Sequence, residues 1–114
     1  MLLSATTKRE IAEDAAKLIK NCIGKGPGNI SVSMFKNTLT LTFFQTLTPL
    51  ERQIAYKSGN ERLVESIRKE LIRCLSDNWE QLFKKYNLQV ENIDGDIDIE
   101  NDVRIIVFTL KEIK

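Results

Sequence analysis

Two stretches of this chain carry residue types that could bind or transform a ligand. In Gly24-Lys25-Gly26-Pro27-Gly28, exposed backbone N–H groups stand beside an ammonium, a combination able to hold a small anion or a nucleotide phosphate. Gly24, Lys25, Gly26 and Gly28 are therefore candidate ligand-binding residues. The order of elements argues for a plain connector instead. Phosphate loops lead from a strand into a helix N-terminus, whereas this stretch leaves a helix and enters a strand, so the helix presents the negative end of its dipole.

The second stretch, Asp94-Gly95-Asp96-Ile97-Asp98-Ile99-Glu100, places carboxylates on alternate residues. Hard oxygen ligands of this kind bind Ca²⁺ or Mg²⁺ when they wrap around the ion. Alternation with Ile marks a strand, on which successive carboxylates of one face stand about 7 Å apart. A solvated strand face that resists aggregation is the plainer reading. Ile99 also occupies the position where an EF-hand loop needs Gly.

The chain has no histidine, which removes the commonest general base and the commonest zinc ligand together. Its two cysteines, Cys22 and Cys74, form no metal-ligand pattern. Both fall on the apolar sides of expected helices, where a thiol behaves as a small hydrophobe, and a disulfide is not expected. No catalytic residue, metal site or cofactor is assigned. Trp79, Phe83 and Tyr86 cluster at the end of a helix, as core residues or as an interface anchor of the kind that dominates binding energies.

The elements that position these residues follow from periodicity. Thr7-Lys8-Arg9-Glu10 has capping-box spacing, and Ile11, Ala15, Leu18, Ile19, Cys22 and Ile23 predict a helix over Lys8 to Ile23, ended by Gly24. Ile30, Val32 and Met34, then Leu39, Leu41 and Phe43, alternate with Ser and Thr around Lys36-Asn37. That pattern is a β-hairpin with one buried face. Thr48-Pro49-Leu50-Glu51 starts a short helix reaching about Lys57.

From Glu61 to Tyr86 the stripe Leu63, Ile67, Leu71, Leu75, Trp79, Leu82 and Tyr86 predicts one long amphipathic helix, kinked near Ser76-Asp77-Asn78. Interleaved Arg, Lys and Glu on this helix read as a solvated face. Leu88 to Glu100 predicts a strand, Asn101-Asp102 a turn, and Val103 to Leu110 a strand apolar on both faces, as a central strand covered on each side would be. The order α-ββ-α-α-ββ predicts an α+β fold, a mainly antiparallel four-stranded sheet packed against helices. With 114 residues, residues 1–114 are expected to form a single domain.

Lys and Arg total 17 against 16 for Asp and Glu, so no long-range field draws in polyanions and nucleic acid is an unfavoured partner. The Gly-x-Gly spacing at Gly24 also differs from the Gly-x-x-Gly backbone clamp of KH-type RNA-binding domains. No apolar run approaches the roughly 20 residues of a membrane-spanning helix. The first residues lack a signal-peptide pattern, which makes the cytoplasm the expected address.

Several motifs in order carry a resemblance: Gly24-Lys25-Gly26-Pro27, Leu47-Thr48-Pro49-Leu50-Glu51-Arg52, the helix around Arg68, and Asp96-Ile97 followed by Ile106-Val107-Phe108-Thr109-Leu110. Together, from about Thr7 to Lys111, the chain resembles the MpsC family, in which Lys is more frequent at the position of Arg52. The resemblance implies a soluble accessory, peripheral to the membrane through its partners, of a system whose membrane subunits are linked to sodium or bicarbonate uptake. It brings no active-site set. The expected role is a non-enzymatic interaction protein, a homo-oligomer that docks on membrane transport subunits without inserting into the bilayer. Its contact faces would be the Ser/Thr side of the first hairpin and the far side of the long helix. The alternative is an anion- or nucleotide-sensing module at the Gly24 to Gly28 loop.

Overall fold

The computed structural model describes residues 2–113. Helix α1 (Ala5–Ile23) leads into the hairpin β1 (Asn29–Phe35) and β2 (Thr38–Phe44). Helix α2 (Pro49–Arg52) continues as a wider π-helical turn over Gln53–Lys57, and α3 (Glu61–Cys74), α4 (Ser76–Lys84), β3 (Leu88–Asp98) and β4 (Val103–Glu112) follow. The sheet is antiparallel throughout, in the order β1-β2-β4-β3. The expected α+β architecture and element order are what the chain adopts.

Alternation along each strand sorts side chains between two faces. On the helix-facing side Ile30, Phe43, Arg104 and Ile97 form one row across the sheet; Val32, Leu41, Ile106 and Gly95 form the next; Met34, Leu39, Phe108 and Ile93 a third. Helix α1 supplies Ile11, Ala15 and Ile19 above them, and α3 and α4 supply Leu75, Trp79 and Phe83. Trp79 and Phe83 both lie against the Phe108 ring, at centroid distances of 5.1 and 4.7 Å and tilted geometry. Both rings are fully buried. A second apolar cluster, Leu47, Ala55, Val64, Ile97 and Ile99, fills the space under α2 and the first half of α3.

The structure differs from the sequence reading in several places. Ser4, not Thr7, caps α1: its Oγ accepts the Thr7 N–H at 3.0 Å, so the helix starts at Ala5. The long helix is broken at Leu75 (φ −97°, ψ 9°), just before the expected kink, and α3 and α4 are separate helices. Strand β4 is covered on one side only. Arg104, Ile106, Phe108 and Leu110 are buried, while Ile105 is 39% exposed in a row with Thr42 and Asp96. Cys22 and Cys74 are exposed thiols, because each sits beside the buried stripe of its helix, not within it.

Gly95 sits at a close approach between α3 and the sheet. A Cβ built there would overlap Cδ1 of Ile72 and come within 3.3 Å of the Ile105 carbonyl oxygen, so a glycine lets α3 lie directly on the sheet. Gly95→Ala is expected to lower stability by about 1–3 kcal/mol through overpacking. Gly26→Ala, whose Cβ would meet only Lys20 at ordinary contact distance, should stay within about 0.5 kcal/mol of the wild type. Denaturant unfolding of the two variants checks the contrast.

Candidate functional site

The connection from β2 to α2 is held by charged side chains from four parts of the chain. Thr48 caps α2 by accepting the Glu51 N–H, and the Glu51 carboxylate returns to the Thr48 N–H at 3.0 Å, closing the capping box the sequence announces. The same carboxylate receives Arg68 in a two-pronged contact, Nε to Oε2 at 2.6 Å and Nη2 to Oε1 at 2.7 Å. Arg68 Nη2 also donates to the Thr46 carbonyl at 2.6 Å. From the β3–β4 turn, Asp102 Oδ1 accepts the N–H groups of Thr46 and Leu47, both at 2.9 Å, and its Oδ2 pairs with Arg52.

Lys25 belongs to this arrangement. Its Nζ donates to the Leu47 carbonyl at 2.9 Å, and it lines a surface pocket together with Arg52. The Gly28 N–H is bonded to the Phe44 carbonyl and the Gly24 N–H to Lys20 of the preceding turn. Gly26 packs against the Lys20 side chain. The Gly24–Gly28 loop is thus fastened by its own lysine and backbone to the β2–α2 connection.

The other sequence-derived candidates lie apart from it. Trp79 and Phe83 are core residues with no surface to offer a partner, whereas Tyr86 is half-buried and donates its hydroxyl to Asp14, tying α4 to α1. Asp94, Asp96 and Asp98 share the outer face of β3, and each turns back onto a backbone N–H nearby. Among the described residues no three carboxylates or thiols gather as ligands for one ion.

Arg68 and Arg104 were not identified from sequence. Both are buried, and Arg104 donates through Nη2 to the Arg68 carbonyl at 2.9 Å. Each had a legible signal. Arg68 stands in phase with Val64, Leu75 and Trp79, the stripe that is actually buried, while Leu63 and Ile67 lie one position off it and are exposed. Arg104 alternates in phase with Ile106, Phe108 and Leu110.

That one-position rotation of α3 makes a surface feature. Ile67, Leu71 and Cys74 of α3, Leu50 and Ile54 of the α2 region, and Cys22 and Ile23 of α1 line a groove of about 450 Å³. Its walls are mainly apolar, and Leu50 is 70% and Ile67 46% exposed. Single exposed apolar residues are ordinary on a surface; here several are gathered along one groove. The Glu51–Arg68 pair forms its floor.

The molecule is therefore a two-layer α+β domain with a charged hub under one end of its sheet and an apolar groove above that hub. It belongs to the MpsC family: the family model described as a Na⁺-translocating membrane potential-generating system matches residues 4–112, nearly the whole chain. Comparison with curated proteins and with solved structures returned no match. The family description names a component of a membrane-potential-generating system, and no helix among the described residues is long and apolar enough to cross a membrane.

Burial pushes the Glu51 carboxyl up, but the Arg68 hydrogen bonds and the Thr48 N–H together outweigh it and hold the group below its ordinary value of 4.5. Ionisation of Glu51 therefore favours the folded state. The contribution is complete above about pH 4.5 and is lost as pH falls through the lowered folded value. Arg68→Met should cost about 3–5 kcal/mol at neutral pH by leaving a buried carboxylate unpaired, and Arg68→Met combined with Glu51→Gln should cost less than the sum of the two single changes. Stability of the four proteins, measured from pH 7 down to pH 3, should show the wild-type advantage over Glu51→Gln shrinking below pH 4.5.

Proposed function

We infer that this chain is a non-enzymatic accessory protein working at the cytoplasmic side of a sodium- or bicarbonate-transporting membrane system, and that the α1–α2–α3 groove is where it holds its partner. The observation that carries this reading is the groove itself, an apolar surface on a rigid floor in a chain whose family is described by a membrane ion-translocating system. The occupant that fits is a short amphipathic helix at the edge of a polytopic subunit, whose apolar residues would cover Leu50, Ile54 and Ile67. Burying exposed aliphatic side chains of this size contributes on the order of 1.5–3 kcal/mol each.

A homo-oligomer is supported by the unequal edges of the sheet. Strand β3 carries Asp94, Asp96 and Asp98 and a bulge between Val90 and Asn92, devices that discourage pairing with another chain. Strand β1, Asn-Ile-Ser-Val-Ser-Met-Phe, has no charge, no proline and no bulge, and Phe35 at its end is 75% exposed. A second copy can pair with that edge.

The test is retention of the tagged protein on a polytopic ion-transport subunit in gently solubilised native membranes, compared with Leu50→Asp and Ile67→Asp. Each change alters an exposed residue, so folding should be preserved, while recovery of the subunit should fall at least tenfold. Equal recovery by all three proteins would remove the groove from the interaction. A monomeric mass in solution together with no membrane subunit recovered would overturn the accessory role.

A further inference from the structure

Among the described residues, three buried side-chain polar atoms have no hydrogen-bond partner: Thr46 Oγ1, Trp79 Nε1 and Arg104 Nη1. They come from β2's exit, α4 and β4, yet all three residues line one internal cavity, together with Arg68, Ile19, Phe43, Leu71, Ile72, Leu75 and Ile106. Thr46, Trp79 and Arg104 are each at most 3% exposed. Leaving three buried polar groups unpaired would be costly, and the space that all three residues border is where one partner can serve them together.

The chemistry of the cluster sets the charge of that partner. Trp79 Nε1 and Arg104 Nη1 are obligate donors, and the Thr46 hydroxyl can donate as well. Two buried guanidinium groups, Arg68 and Arg104, face a single buried carboxylate, Glu51. Asp96, the acid that acts most strongly on Arg104, lies on the open face of the sheet with its Oδ1 on the Ile97 N–H. Burial, and then the neighbouring Arg68, push the Arg104 guanidinium down to about 10, the direction expected of a cation short of counter-charge. A water molecule can accept from Trp79 and Arg104 and donate to Thr46 Oγ1, but it brings no charge to the second buried guanidinium. An anion accepts from every donor present.

Size narrows the class. The cavity volume is about 10 Å³, about the space of one water molecule, so of the anions only a monatomic one approaches the fit. Carboxylates, phosphates and nucleotides are too large. We propose that the cavity between Thr46, Trp79 and Arg104 is a binding site for a single monatomic anion, chloride or its halide equivalents. The bound ion accepts from Arg104 Nη1, Trp79 Nε1 and the Thr46 hydroxyl, balances the second buried arginine, and braces α4 and the β2–α2 connection against β4.

Trp79 is the sole tryptophan of the chain and is fully buried, which makes it a built-in reporter. Bromide titrated into the full chain, against acetate at matched ionic strength, should quench its fluorescence along a saturable curve and raise the melting temperature in step. Thr46→Val should shift the bromide midpoint by about tenfold, and Arg104→Met should abolish saturation. Crystals grown in bromide should show its anomalous signal within hydrogen-bond distance of Trp79 Nε1. Quenching that is linear or absent in the wild type, a melting temperature indifferent to the anion, or an ordinary water at that position in bromide-grown crystals would each overturn the proposal. If Arg104→Met does not fold, Thr46→Val and the crystallographic signal decide it.

Discussion

The two-pronged contact between Arg68 and Glu51 ties the start of α2 to the middle of α3. One partner is the cap of α2 and the other lies in the middle of α3, and the guanidinium reaches past the carboxylate to the backbone of Thr46. Desolvating two such charges offsets much of their attraction, so the pair is better understood as fixing a geometry than as a source of net stability. What it fixes is the rotation of α3 about its own axis. With Arg68 directed inward, Val64 and Leu75 must face the core and Leu63 and Ile67 must face outward. The groove beside α3 is a product of that constraint.

The same hub divides the interior. The main core under α1 and α4 and the smaller cluster under α2 meet along the line of Thr46, Arg68 and Arg104. Asp102 and Lys25 reach the connecting segment from opposite directions, one gripping its N–H groups and the other a carbonyl. A segment of irregular backbone is thereby as fully bonded as a strand. The glycine-rich loop, which from its composition invites a ligand, is part of this fastening.

How far the sequence spoke depended on the range of the interactions. The hairpin, the Pro49 helix start and the final strands announce themselves because alternation, capping and turn residues act over three or four positions. The break at Leu75 was legible only as a nearby cluster of Ser, Asp and Asn, since where a helix yields is decided by what both halves pack against. Arg68 looked like one of many charges on a solvated helix, because its partner Glu51 lies seventeen residues away and was already explained as a cap. Arg104 was hidden by a run of neighbours that are apolar on both sides. The apolar outer residues of β4 implied a second covering layer that the described chain does not supply.

The placement of β4 between β2 and β3 has a kinetic meaning. Phe44 pairs with Val103 and Thr38 with Thr109, so the chain that joins the two central strands contains α2, α3, α4 and β3 in full. The two hairpins can each zip locally, but the sheet becomes continuous only when that long intervening loop has closed. Arg68 and Asp102 both lie on the loop and both bind the start of it, at Thr46 and Leu47. Pairings closed by so long a loop are slow to form beside local ones. The charged hub is then a latch on topology: Arg68 and Asp102 can bond to Thr46 and Leu47 only once the loop that carries them has folded back.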